Sequence, residues 1–384
     1  PDSMTISITV PKGLEDVSNG RLRAVTELPN RWTRYDWFVS VPINNYDVTI
    51  NIGKFTHWHD VYNGITGDTL SLNYYTLPEN VARAKEQFKD VKRMLEAFER
   101  YFGPYPFYRD GYKLIESPHN GMEHQTAVAY GNRYTMGYRG RASSPVGLKF
   151  DFIIVHESAH EWWGNSITSK DVADMWIHES FGAYAEALFV EYWYGRDQSL
   201  AYINGKKWNV RNDSPIIGTY NVQNEGSGDM YDKGQLVLNT LRSVIDNDSL
   251  WFTILRGMQK TYKYQTITAD TIINYVNAKT GKDLAYFFDQ YLRHTKVPEL
   301  DLFVSQKGNK TTLRYRWNTE VQDFHMPIKV TTADNKLDWI TPTKDWQTLP
   351  LGDMDPSHFK VADNLFYVNA KISTSYIDPN MESN

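Results

Sequence analysis

Residues 150–163 read Phe150-Asp151-Phe152-Ile153-Ile154-Val155-His156-Glu157-Ser158-Ala159-His160-Glu161-Trp162-Trp163, and a second stretch reads Trp176-Ile177-His178-Glu179-Ser180-Phe181-Gly182. In the first, Phe152, Ile153 and Val155 suit a buried helix. His156 and His160, at i and i+4, fall one turn apart on one face, near enough to share a tetrahedral zinc ion. Glu157 projects beside them, where it can take a proton from a zinc-bound water. An ordinary helix can also bury two histidines without binding anything, so the pentapeptide alone is not decisive. Glu179 lies nineteen positions after His160, room for a loop and a second helix returning antiparallel. Two histidines and a glutamate plus a water leave an exchangeable position, the pattern of a catalytic zinc. Glu186 is seven residues further, two turns along the same helix face. A carboxylate there can accept the second ring N–H of a ligating histidine or hold a basic neighbour.

Working outward, composition removes several classes. The chain has 384 residues, and at roughly 100–200 residues per domain it should hold two to four domains. Its 41 Lys+Arg against 46 Asp+Glu give a net charge of -5, without a long single-sign block. That is not the basic footprint of a nucleic-acid binder. Hydrophobic residues make up 41% and aromatics 14%, which supplies cores and excludes disorder as the main state. No run approaches the ~18–20 apolar residues of a membrane span, so no integral membrane segment is expected. Cysteine is absent, which removes disulfides, thiolate zinc sites and cysteine nucleophiles together.

Periodicity divides the chain into three parts. Residues 1–76 alternate: Ile6, Ile8 and Val10 against Ser7 and Thr9, then Trp37–Val41, Asp47–Ile52 and Leu70–Tyr75, an all-β pattern. The sequence enters that pattern at once from Pro1, with no initiator Met or signal peptide ahead of it. After Pro78 the period changes. Val81, Ala84, Phe88, Val91, Leu95, Phe98 and Phe102 predict one amphipathic helix closed by Gly103-Pro104. Short strands are expected at Tyr112–Glu116 and Thr126–Tyr130, then helices over 149–294 with a polar loop at 211–230. In that loop Glu225-Gly226-Ser227-Gly228-Asp229 lacks the lysine of a phosphate-binding loop and reads as a flexible lead-in to Tyr231. Alternation returns beyond Pro298 and defines a separate β-domain. His57 and His59 share a strand face, but no third ligand accompanies them.

With these residues in place, the chain resembles the zinc aminopeptidases of the aminopeptidase N and leukotriene hydrolase type, gluzincins marked by H-E-x-x-H, eighteen residues, then E. His156 to Glu179 fits, as do Trp163-Gly164-Asn165 and Trp176–Phe181 around the ligands. The G-x-M-E-N hallmark is present as Gly121-Met122-Glu123-His124, with His in place of the final Asn. Tyr231-Asp232-Lys233-Gly234 resembles the Tyr-x-Lys-Gly segment, and Asp283–Pro298 the end of the catalytic domain.

The resemblance implies a multidomain α+β protein. Residues 1–76 would be the C-terminal part of an N-terminal β-domain. Residues 77–298 would form a thermolysin-like, mainly α-helical catalytic domain with a small sheet, and 299–384 a small β-sandwich. One Zn2+ per chain would be held by His156, His160 and Glu179. Glu157 would activate the water, zinc and Tyr231 would stabilise the oxyanion, and Glu123 with Gly121 and Met122 would hold the substrate's N-terminus. The implied reaction removes the N-terminal residue from peptides with a free amine. A missing N-terminal segment of the same protein is then a candidate partner, and an exported, periplasmic location is favoured over the cytoplasm. Two other classes stay open. A zinc endopeptidase would leave Glu123 unpaired against a continuing chain; a non-catalytic scaffold has no need of all three ligands and Glu157.

Overall fold

The computed structural model describes residues 1–333 and 336–377. Its first sheet is antiparallel with the order Met4–Pro11, Trp32–Val39, Arg21–Leu28, in a register that sets Met4 opposite Val39 and Ile6 opposite Trp37. The period-two pattern explains its faces: Ile6, Val10, Trp37 and Val39 are buried while Thr5 and Ser7 face outward. A ribbon of Glu15–Ser18 and Ile50–Gly53 lies beside it.

A five-stranded mixed sheet follows, in the order Thr56–Asn63, Thr69–Thr76, Tyr112–Glu116, Val128–Tyr130, Gly121–Met122. The sheet therefore runs across residue 76, where the sequence reading set a domain boundary. Leu72 to Tyr75 pair in parallel with Tyr112 to Ile115, so the two strands before Pro78 belong with the central block. A parallel pair needs a crossover, and the helices after Pro78 supply it. They also differ from expectation. The single amphipathic helix is two, Val81–Gln87 and Lys89–Phe102, broken at Phe88 (ψ -2) and closed at Gly103 as the sequence indicated. The strand expected over Thr126–Tyr130 is shorter, Val128–Tyr130, and its apparent lead-in holds a separate edge strand, Gly121–Met122.

The helical block centres on Trp176–Tyr194, buried continuously from Trp176 to Val190. A helix apolar on every side is one packed on every side. Phe152–Ala159, Lys89–Phe102 and Asp232–Ile245 surround it. Beyond Pro298, Glu299–Lys307, Lys310–Asn318, Gln347–Gly352 and Asn369–Ile377 form a four-stranded sheet, with a ribbon of Ile328–Ala333 and Lys336–Ile340. Leu300, Leu302, Val304, Leu313 and Trp317 fill its interior. Residues 378–384 of the expected C-terminal domain lie outside the described residues. Among the described residues no helix is long and apolar enough to cross a membrane. The whole is a mixed α+β fold.

Candidate active site

Asp151 starts the helix that carries the histidines, its side chain accepting the Ile154 N–H at 3.2 Å. The same carboxylate accepts from Gln87, Tyr130 and Asn132 at 2.6–3.0 Å, tying the helix start to the sheet and the crossover. The helix spans Phe152–Ala159 and His160 caps its end. His160 Nδ1 donates to the Trp163 carbonyl at 2.9 Å, and His156 Nδ1 donates to Glu186 Oε1 at 2.7 Å. Those bonds fix the ring protons at Nδ1 and leave a lone pair on each Nε2.

The two Nε2 atoms stand 3.4 Å apart, and Glu179 Oε2 is 3.4 Å from each. All three residues are buried, and Glu179 Oε2 makes no hydrogen bond. With both rings neutral, three electron-rich atoms converge there, and their repulsion calls for a cation between them. Ligand distances of about 2.0–2.1 Å in a zinc tetrahedron require ligand–ligand edges of about 3.3–3.4 Å. The donor set and its spacing fit zinc. A second cluster, Glu123, Glu157 and His160, also lies within ligating reach. It shares His160, whose single Nε2 lone pair serves one ion, and lacks a second imidazole.

Glu157 is buried beside the cluster, and burial pushes its carboxyl up to about 7. A base with that pKa can accept and return a proton near neutral pH. Gly121 packs on it so closely that a Cβ there would sit 2.6 Å from Glu157 Oε1. Glu123 is also buried. Its carbonyl accepts from Asn165 Nδ2 at 2.7 Å, and the same amide reaches Glu161 Oε1 at 3.2 Å. Glu161 in turn accepts from Thr126 N–H and Tyr105 OH, so the turn after the edge strand is clamped to the histidine segment. At His124, where the resemblance expects Asn, burial holds the imidazole down at about 4 and therefore neutral.

Tyr231 joins the short turn Gly228–Met230 to the helix Asp232–Ile245. Ser180 Oγ donates to the Met230 carbonyl at 2.7 Å, which holds the tyrosine beside Glu179. Burial and the Glu179 carboxylate push the phenol well above its usual range, so it remains an O–H donor. His156, Glu157, Glu179, Glu123, Gly121, Met122 and Tyr231 line one cavity of about 500 Å³. His160 adjoins it, and Glu186 stands behind His156, accepting also from Tyr202 OH at 2.5 Å. The expected zinc ligands, Glu157, Tyr231, Glu123, Gly121, Met122 and Glu186 are thus gathered here. Unforeseen were Tyr46, Tyr138, Phe152, Met175 and Glu225, which line the same cavity. By contrast His57 bonds to Asn73 and stacks on Tyr75, away from any group able to hold a metal among the described residues.

Residues 86–291, more than half of the chain, match the peptidase family M1 domain. The chain belongs to peptidase family M1. It is 23% identical to endoplasmic reticulum aminopeptidase 1 of Mus musculus over 317 residues, 79% of this chain and 32% of that protein. To probable aminopeptidase 2 of Sulfurisphaera tokodaii it is 22% identical over 358 residues, 87% of this chain and 44% of the relative. The chain thus spans about a third to under a half of these M1 relatives. Among solved structures, Legionella pneumophila aminopeptidase A in complex with aspartic acid superposes with a TM-score of 0.80 at 16% identity, over 97% of this chain and 45% of that one. An M1 zinc metallopeptidase from Deinococcus radiodurans superposes with a TM-score of 0.62 at 20% identity, over 77% of this chain and 65% of the other. At those identities the M1 likeness of fold is established independently of the sequence motifs.

Proposed function

We propose that this M1 chain is a zinc-dependent aminopeptidase that removes the N-terminal residue from peptides. One observation carries the reading: the triangle of His156 Nε2, His160 Nε2 and Glu179 Oε2, with 3.4 Å edges, opens on the cavity that also holds Glu157 and Glu123. A single zinc ion held by those three residues would polarise the scissile carbonyl and acidify water.

The chain's own residues do the rest. Glu157 takes the proton of the attacking water and returns it to the leaving amine. Tyr231 directs its O–H at the carbonyl oxygen as negative charge develops there. Glu123 receives the substrate's α-ammonium, and a buried carboxylate is what offsets the desolvation of that cation. Gly121–Met122 is the outer strand of the five-stranded sheet, free to pair with an extended peptide and fix its register. The thermolysin-like catalytic domain, the β-domain ahead of it and the C-terminal sandwich belong to the same reading.

The test is a panel of aminoacyl fluorogenic substrates, run with and without a chelator. Hydrolysis that a chelator abolishes and zinc restores supports the reading; chelator-insensitive hydrolysis, or none after zinc reconstitution, overturns it.

A further inference from the structure

The catalytic cavity has two unlike ends. At one, Tyr138, Phe152 and Tyr231 continue into a neighbouring cavity of about 410 Å³. At the other, Asn165 links Glu123, whose carbonyl it holds, to Tyr46, whose O–H reaches Asn165 Oδ1 at 3.4 Å. The Tyr46 ring lies 6.1 Å from that of His178, whose backbone N–H bonds to Met175. This second end holds Glu123, and on the aminopeptidase reading it receives the first residue of the substrate.

Glu225 lines the same cavity from the loop before Tyr231. That loop is anchored, not the flexible lead-in its glycines suggest. Gly218 N–H bonds to Ala173 O, Asn221 N–H to Asp171, and Tyr220 O–H to Asp174, all at 2.9–3.0 Å, just before Met175. Either side of Glu225, Asn224 Oδ1 accepts from Thr219 and Gly226, and Ser227 N–H bonds to Pro215 O. Gly226 has φ +82, and a Cβ there would fall 2.1 Å from the Ile216 carbonyl, so this tight turn requires glycine. The backbone that carries Glu225 is therefore fixed against the segment leading into Met175.

The cavity lining contains four glutamates and, among the described residues, no lysine or arginine. Glu179, Glu157 and Glu123 have roles in the proposed reaction. Glu225 has none, and its carboxylate is exposed with no partner among the described residues. We propose that Glu225 is a specificity-determining residue that selects substrates whose N-terminal side chain is cationic, lysine or arginine. Met122, Met175 and Tyr46 would cover the long aliphatic stem and leave the charged tip at the carboxylate. An acidic first residue would set its carboxylate against that of Glu225, with no lysine or arginine in the cavity lining to offset the repulsion. The inference rests on the aminopeptidase reading.

The experiment compares kcat/KM of the zinc-loaded full chain on Arg-, Lys-, Leu-, norleucine- and Glu-aminomethylcoumarin amides, for the unaltered protein, Glu225→Gln and Glu225→Lys. Arg and Lys should exceed norleucine by about tenfold, with Glu slowest. In Glu225→Gln the Arg-to-norleucine ratio should fall to within a few fold of one, and Glu225→Lys should raise the Glu substrate relative to Arg. Because ratios are read, a general loss of activity cancels. An Arg-to-norleucine ratio unmoved by both substitutions, or a Glu preference in the unaltered protein, overturns the inference while leaving the aminopeptidase reading intact. Failure to cleave any of the five amides overturns that reading, and the inference with it.

Discussion

Glu186 Oε1 lies 2.7 Å from His156 Nδ1, on the far side of the ring from the Nε2 that faces Glu179. The bond fixes which nitrogen carries the proton and which points a lone pair at the metal position. A buried carboxylate in that role raises the basicity of its histidine, and such partners contribute about 10–100-fold in metal affinity. Glu186→Gln should weaken zinc binding by at least about tenfold in a chelator competition. Unchanged affinity together with an unchanged rate would remove Glu186 from this role.

Gly121 faces Glu157 with no space for a side chain, since a Cβ would come within 2.6 Å of the carboxylate oxygen. Gly121→Ala should displace the base without touching a zinc ligand. We expect kcat to fall by at least about tenfold, since small misplacements of a reacting group are costly, while zinc stoichiometry stays near that of the parent and the contact with Ile153 lowers Tm. Full activity in the alanine variant would show that Glu157 adjusts freely and that this contact does not position it.

Tyr231→Phe should lower kcat by roughly 10²–10³ and leave KM within a few fold, because its hydrogen bond matures only in the transition state. Zinc content should not change, as the phenol is outside the ligand triangle. A change confined to KM would make Tyr231 a binding residue.

Zinc should bind at one equivalent per chain and stabilise the fold, because it binds the folded ligand triangle far better than the unfolded chain. His156→Phe should abolish both binding and the zinc-dependent rise in Tm. Metal analysis after reconstitution checks the stoichiometry, and a value below about a tenth of an equivalent contradicts the site.

The parts of this architecture visible in the sequence were those with local rules. The i, i+4 histidines, the second helix returning with Glu179, and Glu186 two turns beyond it all follow from helix periodicity. The strand at Met4–Pro11 follows from alternation, whereas the stretch read as Trp37–Val41 is only the end of a strand that runs Trp32–Val39. What was hidden depends on pairing across distance. Alternation shows that Leu70–Tyr75 is a strand but not which sheet it joins, and its parallel partner Tyr112–Glu116 lies beyond a two-helix crossover. The break at Phe88 leaves the apolar spacing intact, so periodicity reads through it. Gly121 was marked by its motif, yet the reason for glycine, the Glu157 carboxylate, appears only in three dimensions. Tyr46 and Glu225 carry no motif and reach the cavity from opposite parts of the chain. The glycines around Glu225 suggested mobility because sequence does not reveal the acceptors that anchor them.

The most direct test of the aminopeptidase reading is the rate of hydrolysis of one peptide with its N-terminus free and acetylated, by the zinc-loaded protein and by Glu123→Ala. Acetylation removes the ammonium that Glu123 receives, a charge-assisted contact of about 1.5–3 kcal/mol, and adds bulk at the same point. The account predicts that the acetylated peptide is cleaved at least ~100-fold more slowly by the unaltered protein. It also predicts that Glu123→Ala erases most of that difference by slowing the free peptide. Equal cleavage of the two peptides by the unaltered protein would contradict it and make this chain an endopeptidase.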